Sequence, residues 1–183
     1  MSSAGRPCVF FDRDGIVNRA PESRYVTRWE DFHLNPEFVE ALREVRDLGL
    51  PAVVVTNQKC VAVGIMTEDA VRAIHQRLMD VLRRDHAVEL LDILFCPHGD
   101  DTCACRKPNP GMLLEAARRH GIDLAASWMI GDQPRDVEAG CRAGCRTILV
   151  AEGPDAAGAD HHVQTLDELV KRLPGWLKPE GGG

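Results

Sequence analysis

Apolar runs that read as buried strands recur along this chain at residues 8–11, 52–56, 91–95, 128–130 and 147–150, with amphipathic helical patterns between them. Such alternation leaves few folds open. It predicts parallel strands joined by crossover helices, an α/β architecture with a Rossmann-like parallel sheet flanked by helices. Residues 36–48 set Phe38, Leu42, Val45 and Leu48 near helical spacing and stop at Gly49. Residues 67–84 open on Thr67 as N-cap, with Glu68 and Asp69 in the first turn, and place Val71, Ile74, Leu78, Val81 and Leu82 on one face. The patterns at 110–120 and Pro134–Ala143 run into Gly121 and Gly144, both suited to stop a helix. A last helix is expected over 166–173. At 183 residues, one domain is expected over 1–183, with its core at about 7–150 and a C-terminal helix near 165–174.

Reactive residues gather where these strands end, which is where open α/β sheets bind ligands. Asp12-Arg13-Asp14-Gly15 follows the first run, Thr56-Asn57-Gln58 closes the second, Arg106-Lys107-Pro108 precedes the helix at 110, and Gly131-Asp132 with Asp136 follows the fourth. On an extended backbone, residues two apart share a face, so Asp12 and Asp14 are expected to look at one ligand. Asp12 is the candidate nucleophile toward phosphorus, and Asp14 the candidate for moving the proton of the leaving oxygen and of the attacking water. The Thr56 hydroxyl and the Lys107 charge suit a phosphoryl group, and the planar fork of Arg106 suits a second anionic part of the substrate. Taken singly, each segment also has a plain reading. Asp and Gly are common in turns, Thr favours strands, and acids favour helix starts. Their joint presence in this order is what points to phosphate chemistry.

The seven cysteines are an odd number, and Cys96-Pro97-His98, four residues, then Cys103-Ala104-Cys105 groups three thiols with one imidazole. That soft set fits a closed, tetrahedral and therefore structural Zn²⁺ site. Cys8, Cys60, Cys141 and Cys145 have no such partners and are expected to be small buried or half-buried residues, while His161-His162 is expected at the surface. Net charge is −6 with a pI near 5.6, which disfavours a nucleic-acid or anionic-membrane partner. There is no run of membrane-spanning length, and Met1-Ser2-Ser3-Ala4-Gly5-Arg6 has no signal-peptide core, so a cytoplasmic location, no membrane contact and a monomer are expected. The tail 179–183 is expected to be frayed or added.

Together these segments resemble the haloacid dehalogenase superfamily of phosphohydrolases over about residues 8–150. Phe11-Asp12-Arg13-Asp14-Gly15 with Asn18, Val55-Thr56-Asn57-Gln58 and Cys105-Arg106-Lys107-Pro108 are similar to the branch that contains heptose bisphosphate phosphatase and histidinol phosphatase. The resemblance implies Mg²⁺ held by Asp12, Asp132 and the backbone carbonyl of Asp14, with Asp136 in support. It implies an aspartyl-phosphate intermediate on Asp12, with Asp14, Thr56 and Lys107 in catalysis and Asn57, Gln58, Arg106 and Lys107 toward substrate. It also implies a zinc loop of Cys96, His98, Cys103 and Cys105 that steadies Arg106 and Lys107. Intervals between motifs are short, so no separate cap domain is expected and loops 19–33 and 59–66 should cover the site.

The implied substrate is a small phosphorylated metabolite. Arg106-Lys107-Pro108-Asn109-Pro110-Gly111-Met112-Leu113-Leu114 leans toward a heptose bisphosphate, whose 7-phosphate would be removed. The short zinc loop leans toward histidinol phosphate, and the segment after Gln58 carries Cys60 and Val63 where heptose enzymes have a glycine and an arginine, with Gln133 where they commonly have a cation. An end-processing nucleic-acid phosphatase and an inactive zinc-stabilised binding module are the remaining readings. Retention of Asp12, Asp14, Lys107 and Asp132 weighs against the latter.

Overall fold

The computed structural model describes residues 5–21, 24–100 and 103–178. The expected tail at 179–183 and the first four residues lie outside the described residues. Six strands form one parallel sheet: β1 (Val9–Phe11), β2 (Ala52–Asn57), β3 (Asp92–Cys96), β4 (Trp128–Gly131), β5 (Arg146–Val150) and β6 (His161–Val163), in the order β3-β2-β1-β4-β5-β6. The helices are α1 (Pro36–Asp47), α2 (Lys59–Ala62), α3 (Glu68–His86), α4 (Gly111–His120), α5 (Pro134–Ala143) and α6 (Leu166–Leu177). Among the described residues no helix is long and apolar enough to cross a membrane.

Strand β1 shows why this sheet holds. Its side chains alternate, Val9 and Phe11 to one face and Phe10, with Cys8 before it, to the other, and all are buried. The first face packs on α1, α3 and α6 through Phe38, Leu42, Leu78, Leu82, Leu169 and Leu173, with Phe11 edge-on to Phe38 at 5.2 Å. The second packs on α4 and α5 through Met112, Leu113, Ala116 and Ala139. Parallel strands covered on both faces read as unbroken apolar runs, and that is the pattern at 52–55. Thr67 caps α3, accepting from the Ala70 amide at 3.2 Å, and Gly121 and Gly144 end α4 and α5 at φ +63° and +84°.

Three expectations change. Helix α6 does not stop at Leu173. It runs through Pro174 to Leu177 because Leu169, Leu173 and Leu177 all bury on the core, which outweighs one missing amide donor. His161 and His162 are not a surface pair: they open β6, where His161 stacks between Trp128 at 5.5 Å and Trp176 at 4.2 Å, and the Nε2 of His162 lies 2.8 Å from the Ala151 carbonyl. Cys141 is exposed on α5, whereas Cys8, Cys60 and Cys145 are buried as expected.

Growth of the sheet reverses between β1 and its neighbour β4. In a doubly wound sheet that is where the carboxyl ends of the strands open a crevice. Asp12 leaves β1 and Asp132 leaves β4 at that point.

Candidate active site

Strand alternation ends at Phe11. The Asp12 amide still donates to the Ile130 carbonyl of β4 at 2.9 Å, but residues 13–18 then fold into a turn closed by Val17 and Asn18 amides on the Arg13 carbonyl. Gly15 sits at φ +100°, and any Cβ there would lie 2.2 Å from Asp132 Oδ2, so only glycine lets the β1 turn approach the β4 carboxylate.

Asp12 is buried, and its Oδ1 lies 2.5 Å from Lys107 Nζ. Lys107 is equally buried and its ammonium also reaches the Val55 carbonyl and Asp136 Oδ1, each at 2.8 Å. Its contacts to Asp12 and Val55 are hydrogen bonds, and that to Asp136 is an ion pair. Burial pushes the Asp12 carboxyl up to about 7, helped by Asp136 and Asp132 and opposed by Lys107. Burial and Asp136 likewise raise Asp132. The three carboxylates of Asp12, Asp132 and Asp136 bring oxygens within 4.8 Å of one another. Asp136 faces inward from α5, where its Oδ2 accepts the Gln133 amide at 3.1 Å.

Asp14 lies apart from that cluster in its own hydrogen-bond set. Arg13 Nη2 donates to Oδ2 at 2.9 Å and to Oδ1 at 3.0 Å, Asn18 Nδ2 to Oδ1 at 3.0 Å and Gln58 Nε2 to Oδ2 at 3.2 Å. Although burial works the other way, Arg13 and these donors hold the Asp14 carboxyl below its usual range. Gln58 also donates to Thr56 Oγ1 at 2.8 Å and accepts from the Cys60 thiol at 3.6 Å. Asn57 clamps the next segment: its amide donates to the Lys107 carbonyl and its oxygen accepts the Lys107 amide, both at 3.0 Å. The side chains of Asn57 and Gln58 thus engage Lys107, Thr56 and Asp14. Residues 59–66 contain the short helix α2, and the Phe32 ring from the 19–33 segment lies under the Arg13 guanidinium, 5.9 Å from its Cζ.

Cys96, His98, Cys103 and Cys105 meet at the end of β3. Their sulfurs lie 3.1 to 3.4 Å apart, and His98 Nδ1 is 3.6 Å from Cys96 and 3.3 Å from Cys105. These separations far exceed the ~2 Å of a disulfide and approach the edges of a tetrahedron about a zinc with Zn–S near ~2.3 Å. The donor set fits zinc. Arg106, beside this loop, donates to the His98 carbonyl at 3.3 Å and pairs with Asp100 at 2.9 Å, and Asp100 also pairs with Lys59 of α2. For a hard cation the test is Asp132 Oδ1, which is buried and receives no hydrogen bond. An anionic oxygen left so beside two further carboxylates fits Mg²⁺.

Of the residues expected in one site, the structure brings Asp12, Lys107, Asp132 and Asp136 together, whereas the Asp14 carboxylate, expected to face the same ligand as Asp12, is held outside that cluster by Arg13, Asn18 and Gln58. Sequence reasoning missed the part played by Arg13, an arginine buried at 1% exposure, and by His75 on α3, which touches it. An arginine inside a turn motif gives no sign of burial, and a histidine on an apolar helix face reads as core.

This chain is similar to phosphatases. A family model described as HAD-hydrolase-like matches residues 104–174. The D-glycero-beta-D-manno-heptose-1,7-bisphosphate 7-phosphatase of Yersinia pestis is 38% identical over 181 residues, 91% of this chain and 95% of that protein. The D-glycero-alpha-D-manno-heptose-1,7-bisphosphate 7-phosphatase of Photorhabdus laumondii is 38% identical over 157 residues, 79% and 82% of the two chains. Among solved structures, the D,D-heptose 1,7-bisphosphate phosphatase from B. bronchiseptica complexed with magnesium and phosphate superposes with a TM-score of 0.80 at 30% identity, covering 93% of this chain and 99% of that one.

Proposed function

The chain belongs to the haloacid dehalogenase-like phosphatases, and from that premise we propose that it removes the 7-phosphate of a heptose 1,7-bisphosphate through a phosphoryl group carried on Asp12. The observation that carries the chemistry is the buried Asp12 carboxylate at 2.5 Å from Lys107, with Asp132 and Asp136 beside it. Relatives at 36 to 38% identity over most of the chain carry the substrate, and they favour the heptose reading over histidinol phosphate.

Asp12 and Asp132 would hold Mg²⁺, which would offset the charge of nucleophile and phosphate. In this reading Lys107 orients Asp12 and adds positive charge where the phosphoryl oxygens gather, and the Thr56 hydroxyl binds one of them. Asp14 gives its proton to the departing sugar oxygen, then takes one from the water that cleaves the aspartyl phosphate. In the free protein Arg13 keeps Asp14 ionised, the state of a base. An arriving phosphate is a like charge that raises its pKa and lets it serve first as an acid. The Cys96, His98, Cys103 and Cys105 set is proposed to hold zinc and so to fix the segment before Arg106 and Lys107.

Purified protein with Mg²⁺ should release one phosphate from both anomers of the heptose bisphosphate at unequal rates, and Asp12→Asn should abolish release. A chain that leaves both anomers intact while hydrolysing histidinol phosphate, or an Asp12→Asn variant with full turnover, overturns this reading.

A further inference from the structure

His75 is a buried titratable group to which the chemistry above assigns no task. It lies on α3 with its ring edge-on to Phe95, 5.6 Å between centroids, and its Nε2 is 3.1 Å from Arg13 Nη1. A guanidinium has donors only. Nε2 therefore accepts, and the imidazole is neutral with its proton on Nδ1. Burial, with the neighbouring Arg13 charge, holds this imidazole down to about 3, so it stays neutral wherever the protein is folded and active.

Arg13 divides its donors. Nε and Nη2 fork onto Asp14, while Nη1 turns away to His75. The acceptor on α3 therefore decides how the guanidinium plane is turned, and that plane decides where the Asp14 oxygens lie. Were the acceptor lost, buried Nη1 would need another partner, and the guanidinium would rotate away from its present fork.

We propose that His75 is a positioning residue for Asp14, acting through Arg13 to aim the carboxyl at the oxygen of the leaving group. This rests on the acid and base reading of Asp14 given above. In the step concerned, the Asp12 oxygen bonds to phosphorus, the bond from phosphorus to the leaving oxygen breaks, and the Asp14 proton goes to that oxygen. A sugar alkoxide needs the proton. A p-nitrophenolate does not, so its departure is indifferent to where Asp14 points.

The test compares kcat/KM, which covers every step through phosphoryl transfer, for the heptose bisphosphate and for p-nitrophenyl phosphate. His75→Met keeps bulk but removes the acceptor, and it should lower the sugar value about tenfold while moving the aryl value less than about twofold. His75→Gln restores an acceptor and should bring the sugar-to-aryl ratio back toward wild type. Arg13→Lys keeps the charge without the fork and should lower the same ratio. A wild-type ratio in either His75→Met or Arg13→Lys overturns the inference, as does an equal fall in His75→Gln and His75→Met. Asp14→Asn separates the two ideas. If it lowers the ratio and His75→Met does not, only the role of His75 fails; if it leaves the ratio unchanged, the acid reading of Asp14 fails and His75 falls with it.

Discussion

Lys107 Nζ sits 2.5 Å from Asp12 Oδ1 and 2.8 Å from Asp136 Oδ1, a buried cation shared between carboxylates that come from β1 and α5. Breaking such a set by removing its centre leaves uncompensated buried charge. Lys107→Met is expected to destabilise the fold by roughly 3–5 kcal/mol and to abolish turnover, with part of the stability returning when Asp12→Asn is added. Denaturant unfolding of the single and double variants measures this. A single variant with an unshifted midpoint would mean that the ammonium contributes nothing to holding these carboxylates.

The same crowding predicts a response to metal. Asp132 is raised by burial and by Asp136, and its Oδ1 has no donor, so ionised Asp132 is only partly relieved, by Gln133 Nε2 on Oδ2 at 3.3 Å and by the Lys107 and Arg135 charges. Mg²⁺ should raise the melting temperature of the wild type, and the rise should continue with the logarithm of its concentration once that exceeds the dissociation constant. Asp132→Asn should melt higher than wild type without Mg²⁺ and lose the Mg²⁺-induced rise. Equal responses of the two proteins to Mg²⁺ would place the cation elsewhere.

Zinc is a separate matter from magnesium. The sulfurs of Cys96, Cys103 and Cys105 and the Nδ1 of His98 converge on one another, and ligand binding there is coupled to loop order. Elemental analysis of protein purified without added metal should find about one zinc per chain, and Cys103→Ser should reduce that content and lower the melting temperature. Wild-type zinc content in Cys103→Ser would remove this cysteine from the site.

His75 gives a pH dependence whose sign can be worked out. Its folded pKa, about 3, lies below the ~6.5 of an unfolded histidine, so between those values the unfolded chain binds the extra proton. Stability must therefore fall as pH drops through that window. His75→Gln removes the titration, and its stability should decline less steeply than wild type from about pH 6.5 to 4.5, by up to ~1.4 kcal/mol per pH unit. Parallel stability curves would show that this imidazole is not held neutral.

Much of this arrangement could be read from the chain, and the exceptions share a cause. Apolar runs marked the strands through β5, and glycines marked the ends of α4 and α5, because period and turn chemistry are local. Strand β6 is three residues, His161–Val163, and exists because β5 offers an edge and because Trp128 and Trp176 enclose His161. Neither condition can be seen from residues 161–163. In the site, the acids and Lys107 are legible from motif order. The tasks of Asn57 and Gln58 are not, since they depend on Lys107 and Asp14, which lie 50 and 44 positions away.

Selectivity between two phosphates should depend on the segment at α2. Val63 caps that helix at 50% exposure, with Ile65 equally bare beside it, and neither offers an anion a partner. The nearby cations Lys59 and Arg106 both pair with Asp100, so an anionic substrate group must compete with a carboxylate for them. A guanidinium at position 63 would be free of that competition. Val63→Arg is expected to raise the ratio of kcat/KM for the heptose 1,7-bisphosphate over the 7-monophosphate by about fivefold, mainly through KM, because only the bisphosphate carries a second dianion for a forked partner. Comparing both substrates in both proteins decides it. An unchanged ratio would mean that the second phosphate lies out of reach of position 63.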